Sequence, residues 1–173
     1  MLPNPLHPAI VHFPIVLMFL LPISAAAALW AIRRGASVTR MWAIPVIVAA
    51  ALTGASWLSV ETGEQQEERV EAVVPEQAVE SHADAAETFL VASALVLVVT
   101  AAGLVSATPG RAARVVATLG AVALVAAGVR VGHSGGQLVY QHGAAAAYAS
   151  GSGGAPTPSS QREHRETRDG EQR

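Results

Sequence analysis

The chain contains neither cysteine nor lysine among its 173 residues. Without cysteine it has no disulfide framework, no thiolate nucleophile, no iron–sulfur cluster on cysteine ligands and no covalently attached c-type haem. Charge is scarce too: 14% of the residues are charged, against roughly 25% in an ordinary soluble domain. The formal net charge of -2 offers no basic face for phosphates, so nucleic acid is excluded as a partner. What the chain has in quantity is apolar residues, 51% of the total with a mean hydropathy of +0.39, which argues against a soluble globular enzyme. Metal or redox chemistry would therefore rest on the six histidines, the carboxylates or a bound cofactor.

The apolar residues come in long blocks without a period of two, each approaching the ~20 residues that a helix needs to cross ~30 Å of hydrocarbon. Four spans are expected, at 9–32, 41–60, 88–108 and 115–139. The fold class is an all-α membrane protein, a four-transmembrane-helix bundle over 1–147, followed by a disordered polar tail over 148–173 that includes His164. No Lys or Arg precedes Arg33, and the first apolar run exceeds a signal peptide's h-region, so the first span reads as a retained helix. No internal repeat is evident.

Orientation follows from the arginines. Arg33, Arg34 and Arg40 lie between spans one and two, and Arg111 and Arg114 between spans three and four, so these loops should be cytoplasmic. The segment between spans two and three carries Glu61, Glu64, Glu67, Glu68, Glu71, Glu76, Glu80, Asp84 and Glu87 against Arg69, and should lie outside with both termini. Val70, Val73, Val74 and Val79, interrupted by Pro75, suggest one or two short helices there on the outer membrane surface. The expected location is a bacterial inner (plasma) membrane, crossed several times, with the lipid bilayer as the first partner.

This topology gathers His7, His12, His82, His133 and His142 on the outer side. An ionisable residue at membrane depth is a functional hypothesis by default, because an unpaired imidazole is costly there. On the fourth span, Arg130, His133, Gln137 and Tyr140 follow a helical spacing, beside glycines at 120, 128, 132 and 136 that form a smooth seam. Arg130 needs an anionic partner, either Glu61, Asp84 or Glu87, or a haem propionate. His7 and His12 are five residues apart and flanked by Pro5, Pro8 and Pro14; a regular helix would separate them by about 140°. Trp57 and Tyr140 read as aromatics of the outer interface, Trp30 and Trp42 as those of the inner one.

The segment Leu6-His7-Pro8-Ala9-Ile10-Val11-His12-Phe13-Pro14-Ile15, the Thr53-Gly54 pair, His82 and the run Gly136-Gln137-Leu138-Val139-Tyr140-Gln141-His142-Gly143 carry a resemblance. Together they resemble the bacterial membrane family called domain-of-unknown-function family 2231, over about residues 6–147. The resemblance implies a four-helix integral membrane protein without an established activity, with His7, His12, His82 and His142 as the family's histidines. Members occur fused or adjacent to Rieske-type and c-type cytochrome modules, which implies electron transfer with a membrane redox partner or quinone.

The leading expectation is a small redox protein in which imidazoles from different helices hold haem b or a metal ion near the outer face. His12 and His82 are the first choices as ligands, with His7, His133 and His142 as alternates, Arg130 on a propionate, and Gln137 or Tyr140 tuning the pocket. The alternatives are a non-catalytic scaffold or assembly subunit, or a metal-ion binding or transport protein. No Ser-His-Asp arrangement, paired metal motif or phosphate loop marks a hydrolytic enzyme.

Overall fold

Runs of Leu, Ala, Val and Ile with few backbone-competing side chains favour helix. In hydrocarbon a helix also satisfies every interior N–H and C=O within its own segment. The computed structural model describes residues 6–105 and 108–149. These are all helix and short connections: α1 (His7–Ile10), α2 (His12–Arg33), α3 (Val38–Glu64), α4 (Glu67–Glu71), α5 (Glu76–Ala102), α6 (Thr108–Tyr140) and α7 (Ala146–Ala149). Four stretches are long and apolar enough to cross a membrane: α1 with α2, then α3, α5 and α6.

The four long helices run up and down and pack as a closed ring, α2 on α3, α3 on α5, α5 on α6 and α6 on α2. Met18, Leu21, Ala49, Leu52, Phe89, Ala121 and Leu124 meet in the middle of the bundle. Large apolar side chains such as Phe13, Ile23, Leu95, Val98 and Leu119 instead point outward, as expected of faces solvated by lipid tails. Each helix therefore buries only a narrow stripe, in which small residues such as Ala25, Ala28, Ser93 and Thr100 let the backbones approach closely between larger ones.

The end carrying the arginine loops is closed by polar contacts. At the α2–α3 connection Gly35 takes φ 94, and its N–H and that of Ala36 bond to the carbonyls of Ile32 and Ala31, a glycine-based helix stop. Trp42 is completely buried and donates its indole N–H to the Thr100 carbonyl at 2.8 Å. The buried Arg114 guanidinium donates to the carbonyls of Gly103 and Val105, capping the C-terminus of α5 where the helix leaves its last carbonyls unpaired.

At the opposite end the acidic linker folds over the bundle. Val74 and Val79 are buried with Leu138 and Ala144, and Val70 and Ala78 pack against them. A positive φ of 73 at Gly143 turns the chain, so that the Ala144 N–H reaches the Leu138 carbonyl. Val70, Val74 and Val79 are thus the underside of a cap, whereas Val73 stays exposed.

Several expectations change. The expected short surface helices reduce to α4, because Glu76 to Glu87 form the first three turns of α5. Pro75 sets this boundary: it precedes the first helical residue, where a missing N–H costs nothing. Trp42 is not an interfacial aromatic but an interior side chain, since its N–H finds a carbonyl inside the bundle. Trp30 stays on the outside, with the Arg34 guanidinium 4.3 Å above its ring. The expected tail lies outside the described residues from 150 onward, and 148–149 end α7.

The absence of an internal repeat is also corrected. His7 bonds to Ser59 and His82 to Ser134, each across 52 residues, and the second pair follows the first by 75 positions (82 less 7, and 134 less 59). The same offset relates the buried Met18 to Ser93, Ala25 to Thr100, Ala28 to Gly103, Trp42 to Ala117 and Ala49 to Leu124. The bundle is therefore two helical hairpins of common plan, α1–α2–α3 and α5–α6, whose inward stripes coincide although the side chains filling them differ. Because lipid-facing and core-facing residues are both apolar, hydropathy alone hides this correspondence.

Candidate functional site

Each hairpin seats one histidine on its returning helix. Pro8 at the start of α1 fixes the chain so that His7 comes to lie against the last turns of α3. There its Nδ1 is 2.9 Å from the Ser59 carbonyl and 3.4 Å from the Thr62 hydroxyl. A carbonyl only accepts, so Nδ1 carries the proton and donates. The Thr62 hydroxyl spends its own proton on the Leu58 carbonyl at 2.8 Å, and so can only accept from the ring. Gly63 makes room: a Cβ there would stand 3.3 Å from the imidazole Cε1.

His82, on the second turn of α5, repeats this arrangement against α6. Its Nδ1 is 2.9 Å from the Ser134 Oγ, which donates its proton to the Val131 carbonyl at 2.9 Å. With its proton on that carbonyl, the hydroxyl accepts from Nδ1–H. Gly135 supplies the space, with a Cβ there placed 3.0 Å from the His82 Cε1.

Both rings are therefore neutral-capable imidazoles whose Nδ1–H is tied to the protein, which leaves the lone pair on Nε2. Both are half-buried. They come from different hairpins, at the end of the bundle covered by the acidic linker. Orientation of the ring by a bond from the far nitrogen is the support that metal-ligating histidines receive in proteins.

The other expected site residues fall elsewhere. His12 is exposed on the flank of the bundle at the start of α2, and His133 and His142 are exposed as well. The expected stripe on α6 divides. His133, Gln137 and Tyr140 stay together, lining a shallow groove of about 330 Å³ with Gly132 and Gly136. Arg130 turns to a second groove, of about 610 Å³, between α5 and α6, which it lines with Glu80 and Asp84. Of its expected carboxylate partners, Asp84 is thus in the same groove. The glycine seam divides too: Gly128 and Gly120 face Met18 and Val96, whereas Gly132 and Gly136 have open space before them.

Ser59, Thr62, Gly63, Ser134 and Gly135 were not singled out by the sequence. The signal was present as a histidine at the start of one helix and a serine with a nearby glycine at the end of the next, occurring twice. Among the described residues no group of three or more His, Asp or Glu side chains could surround a metal ion. A site built here offers two imidazoles, too few for the four ligands of a structural zinc site.

Fold and site together define a four-helix membrane-type bundle with one oriented histidine per hairpin. No family model, curated protein or solved structure matches the chain.

Proposed function

We propose that this is a membrane-embedded electron-transfer protein in which His7 and His82 hold a b-type haem at the acidic, outer end of the bundle. One observation carries the reading: two imidazoles from different hairpins, at the same end of the bundle, each spend Nδ1–H on the protein and keep Nε2 as a free base. Bound there, the haem would supply one-electron redox chemistry. The chain's part is to hold both rings in one tautomer, through the Ser59 carbonyl and the Ser134 hydroxyl. The pair proposed earlier from the sequence, His12 with His82, gives way to His7 with His82, because the His12 ring is turned to the outside.

His7 and His82 both belong to the residues on which the resemblance to family 2231 rests, and the resemblance is retained as part of this proposal. The acidic end is taken as periplasmic or extracellular, with Arg33, Arg34, Arg40 and Arg111 on the cytoplasmic side of a bacterial plasma membrane. A quinone or a Rieske or cytochrome protein is the proposed redox partner. The test is the absorption spectrum of the full chain produced with ample haem: a Soret band and a sharp reduced α-band support the reading. Protein that carries a metal without these bands supports the metal-ion alternative. Protein that carries neither supports a scaffold subunit.

A further inference from the structure

We infer that the groove between α5 and α6 is a binding site for a zwitterionic phospholipid with a primary ammonium, of the phosphatidylethanolamine kind. The His82–Ser134 bond sets residues 82 and 134 at one level of two antiparallel helices, so depths along the groove follow from the helical rise. Glu80 and Asp84 stand within about 3 Å of that level, Arg130 about 6 Å deeper towards the bundle centre, and Phe89 with Ala127 about 10 Å deeper. All five line the same groove, together with the Thr88 hydroxyl. From the acidic end inward the groove thus presents carboxylates, then a guanidinium, then an apolar floor. A phosphatidylethanolamine lying in the outer leaflet presents ammonium, phosphate and acyl chain in that order. Arg is suited to phosphate by its forked donors, and the carboxylates accept from all three ammonium hydrogens.

The hairpin plan does not require these charges. At the corresponding positions of the first hairpin, 75 residues earlier, Asp84, Thr88 and Arg130 are matched by Ala9, Phe13 and Ala55. The second hairpin therefore carries a polar ladder that its counterpart folds without. A quinone or a sterol would make no use of the paired opposite charges. An anionic headgroup would meet the carboxylates first and be repelled.

The experiment is native mass spectrometry of the full chain extracted from vesicles of equal phosphatidylethanolamine, phosphatidylcholine and phosphatidylglycerol. Wild-type protein is expected to retain the ethanolamine lipid about tenfold over the others, the ratio that ~1.4 kcal/mol of added charge-assisted bonding would give. Arg130→Gln should erase the preference, and Glu80→Gln with Asp84→Asn should turn it towards phosphatidylglycerol. That reversal is a gain which a misfolded protein would not show. Equal retention of the three lipids by wild type, or an unchanged preference in both variants, overturns the proposal. The result is independent of whether haem is bound.

Discussion

Trp42 separates an interior role from an interfacial one, and its replacement tests how the bundle is held at its arginine end. Trp42→Ala removes a completely buried indole and its 2.8 Å bond to the Thr100 carbonyl. In a soluble core, Trp→Ala costs about 3–5 kcal/mol, of which part is transfer of apolar surface from water. Here the helices separate into lipid, where that part is small, so the loss is mostly dispersion and cavity and should fall near ~3 kcal/mol. Trp42→Phe keeps most of the volume and loses the hydrogen bond, for about 1 kcal/mol. The Thr100 carbonyl still accepts from the Gly103 N–H at 3.0 Å, which moderates that cost. Trp30→Ala, on the exposed face, should stay within about 0.5 kcal/mol of wild type. Unfolding of the purified chain in mixed micelles by increasing SDS, followed by circular dichroism, ranks the three. Equal, small effects at Trp42 and Trp30 would refute the interior assignment.

Two glycine substitutions extend the same reasoning. A Cβ at Gly103 would collide with Trp42 Nε1 and press on the Arg114 Cγ, whereas one at Gly132 meets open space. Gly103→Ala should therefore destabilise the bundle by about 1–3 kcal/mol in the same SDS titration, while Gly132→Ala should be neutral or slightly stabilising. The cap is expected to respond to pH through Glu71, whose carboxyl is held above its ordinary range by partial desolvation, then by the negative charges of Glu67, Glu76, Glu68 and Glu80. A raised folded pKa means that the folded cap binds the proton more tightly. Its stability should be greatest in acid and decline as pH rises through the ordinary carboxylate value to the raised one. Limited proteolysis within 65–75 should accordingly be slower near pH 4 than near pH 7, and Glu71→Gln should remove part of that difference.

The four helices were legible because a membrane span is written in length and hydropathy, and both survive any detail of packing. The ends of the helices were less so. Glu76 to Glu87 look like a loop by charge, yet they continue α5 because a helix can project from the membrane with its polar turns in water. Trp42 looked like an interfacial residue because belt and interior tryptophans share the same hydropathy; only the position of the Thr100 carbonyl distinguishes them. Among the histidines, the sequence showed that they gather at one end and left open which rings turn inward. That choice depends on Gly63 and Gly135, whose missing side chains create the two seats. The hairpin repeat was hidden for a related reason: Met18 and Ser93, or Trp42 and Ala117, occupy equivalent buried positions with little chemical likeness.

The central claim is that one histidine from each hairpin, held through Nδ1, forms the cofactor site. The most direct measurement is the reduced-minus-oxidised absorption spectrum of the full chain and of His7→Ala, His82→Ala and His12→Ala, each produced with the same haem supply and normalised to folded protein. The account predicts that the α-band of the wild type is lost or converted to a high-spin form in His7→Ala and in His82→Ala, and is kept in His12→Ala. A band that persists without either His7 or His82, or that disappears with His12, would contradict it.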